Sequence, residues 1–163
     1  MRDQAIVVGA GGALGQAIVT DLVAAGIDVL GVARNPASLA ALGERHGDRF
    51  RAVIAAMADD TAIKAIGAAI TAPVSIVVHS PGVPVAGGVR AAPISALVEA
   101  CNIKVGGFVR LVRAAEPHLR RGSRLVAIGG HYGFEPTAYA ATAGVANAAR
   151  ANLVRQMSWA YGE

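Results

Sequence analysis

The stretch AIVVGAGGALG, residues 5–15, decides the fold. Four apolar residues lead directly into a glycine-rich segment, after which Leu14, Ile18 and Leu22 recur at helical spacing. A strand, a glycine turn and a helix in this order are typical of a turn that holds a dinucleotide pyrophosphate, because glycines let the phosphates approach the backbone amides at the start of the helix. A glycine turn at such a place also occurs for steric reasons alone.

The alternation of strand and helix continues along the chain. Apolar runs at residues 5–8, 27–32, 50–54, 74–78 and 125–128 predict five buried strands, and each gap between them is long enough for a helix. The fourth helix is predicted to end near residue 119, and the last to cover residues 137–161. This pattern indicates an α/β fold, a Rossmann-like doubly wound parallel sheet with helices on both faces in three layers. Such sheets bind ligands at the carboxyl ends of their strands.

The composition narrows the possible functions. The 163 residues predict a single domain, 1–163. Hydrophobic residues make up 54% and charged residues 16%, which excludes a disordered chain, and the 4% of aromatic residues offers few rings for base stacking. The basic residues are scattered, so we expect no nucleic-acid partner. The densest group, Arg120, Arg121 and Arg124, is interpreted as cations at a helix C-terminus rather than as a phosphate-binding patch.

Cysteine content and hydropathy point to an intracellular protein. The only cysteine, Cys101, has no cysteine or histidine at metal-ligand spacing, so we predict neither a disulfide nor a metal site. The N-terminal apolar run is interrupted by glycines and is not a signal peptide, and no other apolar segment is long enough to span a membrane. We therefore expect a soluble cytoplasmic protein without a membrane partner.

The glycine turn resembles the T-G-x-x-x-G-x-G fingerprint of the short-chain dehydrogenase/reductase family. Val8 stands at the threonine, and Gly9, Ala13 and Gly15 stand at the three glycines, so that one glycine is replaced. We expect Gly12, one place before Ala13, to allow the close approach instead. The resemblance implies an NAD(P)-binding domain whose turn holds the cofactor through Gly9, Gly12, Ala13, Leu14 and Gly15.

The same resemblance places more residues beside the cofactor. The segment SPG at residues 80–82 stands where the family has the N-A-G of its N-N-A-G turn, so Ser80 and Gly82 are predicted to bind the cofactor. An acidic residue at the end of the second strand would hold the 2′-hydroxyl of NAD, but this chain has Ala33 there, followed by Arg34. A guanidinium suits a 2′-phosphate, so we expect NADP rather than NAD. The other interpretation of Arg34 is an exposed arginine before a helix.

The residues that the family uses for its reaction are only partly present. In that family a tyrosine transfers the proton, a serine binds the substrate oxygen, a lysine four residues after the tyrosine supports it, and a helix asparagine holds a water. Tyr139 and Asn102 match the tyrosine and the asparagine and are the predicted catalytic residues, with a small insertion after Asn102. Gly130 and Ala143 stand at the serine and the lysine.

Two functions remain open for a chain with these replacements. One is an NADP(H)-dependent oxidoreductase with a degraded catalytic motif, acting on a small carbonyl or alcohol substrate. The other is a catalytically silent nucleotide-binding protein with a regulatory or assembly role. His131 and Tyr132, which follow Gly130, are interpreted as loop residues rather than as replacement donors.

The chain is identified as a divergent and C-terminally short member of the family. Its relatives continue after the tyrosine helix with a sixth strand, a segment that covers the substrate and a seventh strand. We expect the fifth strand to be a sheet edge here. Because the fourth and fifth helices are alanine-rich and the family pairs through these helices, we expect a homodimer or homotetramer.

Overall fold

The computed structural model describes residues 2–162 and contains a five-stranded parallel sheet. The strands are β1 (Gln4–Val8), β2 (Asp28–Ala33), β3 (Phe50–Ile54), β4 (Val74–His79) and β5 (Leu119–Ala127), in the spatial order β3-β2-β1-β4-β5. The winding reverses between β1 and β4, which is where sheets of this kind open a crevice. The predicted doubly wound parallel sheet is therefore confirmed.

Helices connect the strands. They are α1 (Ala13–Ala24), α2 (Ala37–His46), α3 (Thr61–Ala69), α4 (Ile94–Cys101), α5 (Gly107–Ala115) and α6 (Ala141–Ala160). Short 3₁₀ turns cover Gly47–Arg49, Glu116–His118 and His131–Gly133. The start of α2 follows from its sequence, because the Asn35 side chain accepts a hydrogen bond from the Ala37 amide at 3.0 Å and Pro36 cannot extend the helix backwards.

Two apolar cores lie on opposite faces of the sheet. Ile6 of β1 belongs to the core that contains Ile66 of α3 and Leu111 of α5. Its neighbour Val7 belongs to the other core, with Val19 of α1 and the buried leucines of α2. Because successive side chains of β1 enter different cores, the strand has no polar outward positions and reads as a continuous apolar run.

The interpretation of the arginine group 120–124 is wrong, because the group lies in β5 and not at a helix C-terminus. The preceding helix ends at Ala115, and a 3₁₀ turn with a proline leads directly into the strand. Inside β5 the pairing with β4 shifts register, and Gly122 adopts a φ of 90°. The Ser123 hydroxyl holds this irregularity, since it donates to the Val74 carbonyl at 2.7 Å and accepts from the Arg120 amide at 2.9 Å. Arg120 forms an ion pair with Asp3.

A π turn, Asn102–Gly106, joins α4 to α5. A π turn holds more residues than an α turn, which agrees with the small insertion predicted after Asn102. The last helix begins at Ala141, later than the predicted residue 137, so Tyr139 precedes it.

Among residues 2–162, the apolar stretches within the helices are too short or too polar to cross a lipid bilayer.

Candidate active site

The glycine turn lies at the carboxyl end of β1, beside the point where the winding reverses. Gly9 has a φ of 82°, a left-handed conformation that favours glycine, and its amide donates to the Val32 carbonyl of β2 at 2.9 Å. On the other side, the amide and the hydroxyl of Ser80 both donate to the Val8 carbonyl, at 3.0 and 2.8 Å. The turn is thereby fixed to the ends of both neighbouring strands.

The glycines of the turn differ in whether the surrounding protein leaves room for a side chain. A Cβ on Gly15 would lie 2.1 Å from the Gly9 carbonyl oxygen, and one on Gly11 would lie 2.3 Å from the Ser38 hydroxyl. A Cβ on Gly12 would meet only the Gly9 carbonyl oxygen, at 3.4 Å, which is an ordinary contact. Packing within the protein therefore requires Gly15 and Gly11 but does not require Gly12, whose bare backbone is exposed at the start of α1.

A cleft of about 490 Å³ opens over this turn. Five of the predicted cofactor residues line it: Gly9, Gly12, Arg34, Ser80 and Gly82. Ala13 and Leu14 lie in the exposed first turn of α1, outside the lining, and Gly15 packs inward. At the end of β2 the lining holds Ala33 and the exposed Arg34, so this position carries a cation and no carboxylate.

Tyr139 lies on a second part of the carboxyl edge, next to the start of α6, and is 58% exposed. Its hydroxyl is 2.9 Å from the hydroxyl of Tyr132, and the two rings pack edge to face with centroids 5.8 Å apart. The hydrogen bond to Tyr139 is the main cause that raises the pKa of Tyr132, and partial desolvation adds to it. Neither tyrosine lines the cleft.

At Gly130, where the family resemblance predicts a serine, the space for a side chain is occupied by Asn147. A Cβ on Gly130 would lie 2.8 Å from Nδ2 of Asn147, an α6 residue that is 6% exposed. The Oδ1 atom of Asn147 is buried and has no hydrogen-bond partner within residues 2–162. Ala143, at the place of the missing lysine, is buried on the same helix. This part of the edge is therefore repacked and not simply left open.

The side chain of Asn102 is not brought to Tyr139. Its Nδ2 donates to the Ala58 carbonyl at 3.0 Å, and its Oδ1 accepts from Arg110 at 2.9 Å. Arg110 also forms an ion pair with Asp60 at 2.6 Å. These contacts fix the π turn to the loop that follows β3.

Thr142 fastens the connecting loop 80–93 to α6. It is fully buried, its hydroxyl donates to the Pro84 carbonyl at 2.9 Å and it accepts from the Ala86 amide at 3.2 Å. Nearby, the Ala141 amide donates to the Gly87 carbonyl at 3.1 Å. Loop 80–93 is thus held by the first turn of α6.

A buried group of basic side chains lies behind the edge. Arg150 of α6 donates to His79 Nδ1 at 2.9 Å, to the Lys104 carbonyl at 3.0 Å and to the Ile128 carbonyl. Burial and the nearby charges of Arg150 and Lys104 lower the pKa of His79 to about 3, so His79 is neutral. Burial, followed by repulsion from Arg150, lowers the pKa of Lys104 to about 8. Within residues 2–162, no cluster of acidic, histidine or cysteine side chains is arranged to hold a metal ion.

A family model described as short chain dehydrogenase matches residues 3–163. The chain belongs to the short chain dehydrogenase family. This confirms the resemblance drawn from the glycine turn. No curated protein matches the chain significantly.

Several solved structures share the fold at low identity. A short-chain dehydrogenase from Streptomyces avermitilis is 28% identical with a TM-score of 0.88, covering 96% of this chain and 60% of its own. An NADPH-bound short chain oxidoreductase from Pseudomonas aeruginosa PAO1, described as containing an atypical catalytic center, is 26% identical with a TM-score of 0.89, and the match covers 99% of this chain and 68% of that one. A blue fluorescent protein from a metagenomic library, in complex with NADPH, is 25% identical with a TM-score of 0.90, with 98% and 69% covered. The chain thus spans about six to seven tenths of these proteins.

The sequence did not predict the contacts of three residues near the carboxyl edge of this short chain dehydrogenase: Arg150, Tyr132 and Asn147. The Arg150 contacts could have been suspected, because Arg150 follows Ala143 by two helical turns and lies on the same face of α6. The Tyr132–Tyr139 bond and the position of Asn147 had no such signal, because they depend on how the loop 130–140 folds back on the helix.

Proposed function

We propose that this chain binds NADP(H) in the cleft over the glycine turn. The observation that carries the proposal is the bare backbone of Gly12. Its missing Cβ has room within the protein, so packing does not explain the glycine, whereas close approach of a pyrophosphate does. The amides of the first turn of α1 would donate to the phosphates, and Ser80 and Gly82 also line the cleft. We propose that residues 1–163 act as one binding domain.

The preference for NADP rests on Arg34. With Ala33 at the end of β2, no carboxylate repels a 2′-phosphate there, and the exposed guanidinium can donate to it. A charge-assisted hydrogen bond of this kind contributes about 1.5–3 kcal/mol. Calorimetric titration should therefore give tighter binding of NADPH than of NADH.

Two arginine variants make this experiment specific. Arg34→Ala should remove the preference, whereas Arg45→Ala, which deletes an exposed arginine from the far end of α2, should keep it. Equal affinity of the unaltered protein for both nucleotides would contradict the assignment of Arg34.

We propose that the reaction, where the chain is active, is the reduction of a small carbonyl compound or the reverse oxidation of an alcohol. When bound, the reduced nicotinamide supplies the hydride. Tyr139 is the exposed proton donor closest to the start of α6, and its phenol would give a proton to the carbonyl oxygen. Asn102 acts, in this proposal, through the position of the π turn, since its side chain is bonded to Ala58 and Arg110.

The alternative is a silent nucleotide-binding protein. It is favoured by the repacked edge, where Ala143 brings no ammonium group and Asn147 occupies the space beside Gly130. NADPH binding together with NADPH oxidation in the presence of small aldehydes and ketones supports the enzyme. Binding without any turnover supports the alternative.

We propose that the chain forms a homodimer or homotetramer through α4 and α6. Apolar side chains on these helices are exposed: Ile94, Val98, Val145 and Trp159. Burying them against a second copy would remove apolar surface from water. Sedimentation at tens of micromolar protein should show a dimer or tetramer, and a monomer would contradict the proposal.

A further inference from the structure

The two tyrosine hydroxyls at the edge of the sheet meet at one point. Tyr132 Oη and Tyr139 Oη lie 2.9 Å apart, and Tyr139 is largely exposed. Two hydroxyls carry two hydrogens, of which their mutual bond uses one. The other hydrogen is free to bond an acceptor that reaches the pair from solvent.

The Tyr132 ring is held in place by its neighbours. It packs against the ring of His131, with centroids 4.1 Å apart, and edge to face against Tyr139. Its backbone lies close to α6, because a Cβ on Gly144 would come within 3.1 Å of the Tyr132 carbonyl oxygen. The Tyr132 hydroxyl is therefore held against Tyr139 Oη before any ligand binds, as a preorganised donor to a developing phenolate requires.

Protonation favours a donor role for Tyr132. The hydrogen bond to Tyr139 raises the pKa of Tyr132, which is the direction expected when Tyr132 is the donor of that bond. Gly130 has no side chain to offer, and the neighbouring Asn147 is buried. Within this edge, the Tyr132 hydroxyl is in direct contact with Tyr139 Oη.

We propose that Tyr132 is a positioning residue, whose hydroxyl donates to Tyr139 Oη and so leaves the Tyr139 hydrogen free to protonate the substrate carbonyl oxygen. The inference rests on the proposed oxidoreductase function. A hydride from reduced nicotinamide forms the new C–H bond, the C=O π pair takes the proton of the Tyr139 hydroxyl, and an alcohol and oxidised nicotinamide result. The Tyr139 phenolate accepts the Tyr132 hydrogen bond until solvent returns a proton.

The kinetic test compares Tyr132→Phe with Tyr161→Phe, using NADPH and 2,3-butanedione. Tyr161 lies at the other end of α6, so its variant removes one phenol hydroxyl away from the edge. We expect Tyr132→Phe to lower kcat roughly 10- to 100-fold, less than a fully buried oxyanion donor because the site is partly solvated. Tyr161→Phe should match the unaltered protein, and NADPH affinity should be unchanged in both variants.

A second readout does not depend on turnover. Phenolate absorbance followed against pH should show the Tyr132 pKa falling towards its ordinary value in Tyr139→Phe, because its main perturbing hydrogen bond is lost. The Tyr161→Phe protein should retain the raised pKa of Tyr132.

The outcomes separate this inference from the proposed function. If the unaltered protein turns over and Tyr132→Phe is as active as Tyr161→Phe, the role of Tyr132 is wrong and the oxidoreductase function stands. The role of Tyr132 is also wrong if Asn147→Ala loses turnover while Tyr132→Phe keeps it. If the unaltered protein binds NADPH but reduces no carbonyl, both the inference and the enzyme function are overturned, and nucleotide binding remains.

Discussion

The glycine turn and the region around Tyr139 differ in how strictly backbone conformation and packing restrict which residue can stand at each position. Around the glycine turn, Gly9 has a left-handed φ and Gly15 leaves no room for a methyl group, so sequence and geometry agree. Around Tyr139, Gly130 and Ala143 stand where the family resemblance predicts a serine and a lysine, and the Asn147 side chain occupies the space beside Gly130. The backbone conformation at Gly9 and Gly15 is thus fixed by packing that the fold itself needs, whereas the side chains around Tyr139 can be replaced without loss of the fold.

The largest effect should come from the glycine that the fold requires. Gly15→Ala would place Cβ 2.1 Å from a backbone oxygen that cannot move away easily, and we expect it to cost about 3 kcal/mol or more of unfolding free energy. In Gly12→Ala the nearest contact of the new Cβ is 3.4 Å away, so the free energy of unfolding should stay within about 1 kcal/mol of that of the unaltered protein. This variant should nevertheless bind NADPH more weakly. Urea unfolding and calorimetry check this pair. Equal stability of the two variants would show that packing does not distinguish Gly15 from Gly12.

Acid should destabilise the protein through His79. The folded chain keeps His79 neutral down to about pH 3, whereas in the unfolded chain this group takes up its proton near pH 6.5. The stabilising contribution of neutral His79 is therefore complete above pH 6.5 and is lost between pH 6.5 and 3, by at most about 1.4 kcal/mol per pH unit.

A matched pair of variants isolates this histidine. His79→Asn keeps an acceptor for Arg150 and should flatten the pH dependence of urea unfolding, and His118→Asn in the turn before β5 should leave it unchanged. An unchanged slope in His79→Asn would show that other groups carry the acid sensitivity.

Restoring the family side chains should raise turnover by about 10²-fold. Gly130→Ser with Ala143→Lys supplies a hydroxyl donor and an ammonium group at the positions given by the family fingerprint. Because a Cβ at 130 comes within 2.8 Å of Asn147, Asn147→Ala has to be added to make room. NADPH oxidation with 2,3-butanedione measures the gain, and Tyr139→Phe in the same background should abolish it. No gain in a variant that folds and binds NADPH would place Tyr139 outside the reaction.

The smallest effect is expected at loop 80–93, which the first turn of α6 holds. Thr142→Val keeps the buried shape but leaves the Pro84 carbonyl and the Ala86 amide without their partner, a loss of about 1–2 kcal/mol. Hydrogen exchange of the Ala86 amide should become faster, while that of β1 stays the same. Unchanged protection at Ala86 would mean that the loop is held by other contacts.

The fold could be predicted from the sequence because its signals are local. Continuous apolar runs such as residues 74–78 indicated the strands, and the glycine turn indicated both the winding and the family. The error at Arg120 arose because β5 begins at Leu119, with charged residues and a shift of register, whereas the apolar pattern indicates a strand only from Leu125 onwards.

The candidate site was predictable only where backbone shape decides it. Gly9, Gly12, Arg34, Ser80 and Gly82 meet in one cleft because they follow strands that end at the same edge. The Tyr132–Tyr139 contact joins residues only seven positions apart, but it depends on how their loop folds back, which no local pattern encodes. The Arg150 group joins segments far apart in sequence, and only the helical spacing of Arg150 hinted at it.

The contacts of α6 also set an order of assembly during synthesis. Residues of this helix hold the loop at Pro84, the π turn at Lys104 and the end of β5 at Ile128. A chain emerging from the ribosome can pair β1, β2 and β4 before residue 141 is available, because N-terminal parts fold first. The nucleotide cleft can therefore exist on a nascent chain whose reaction edge is still open, and a bound nucleotide at that stage would stabilise the sheet on which α6 later docks.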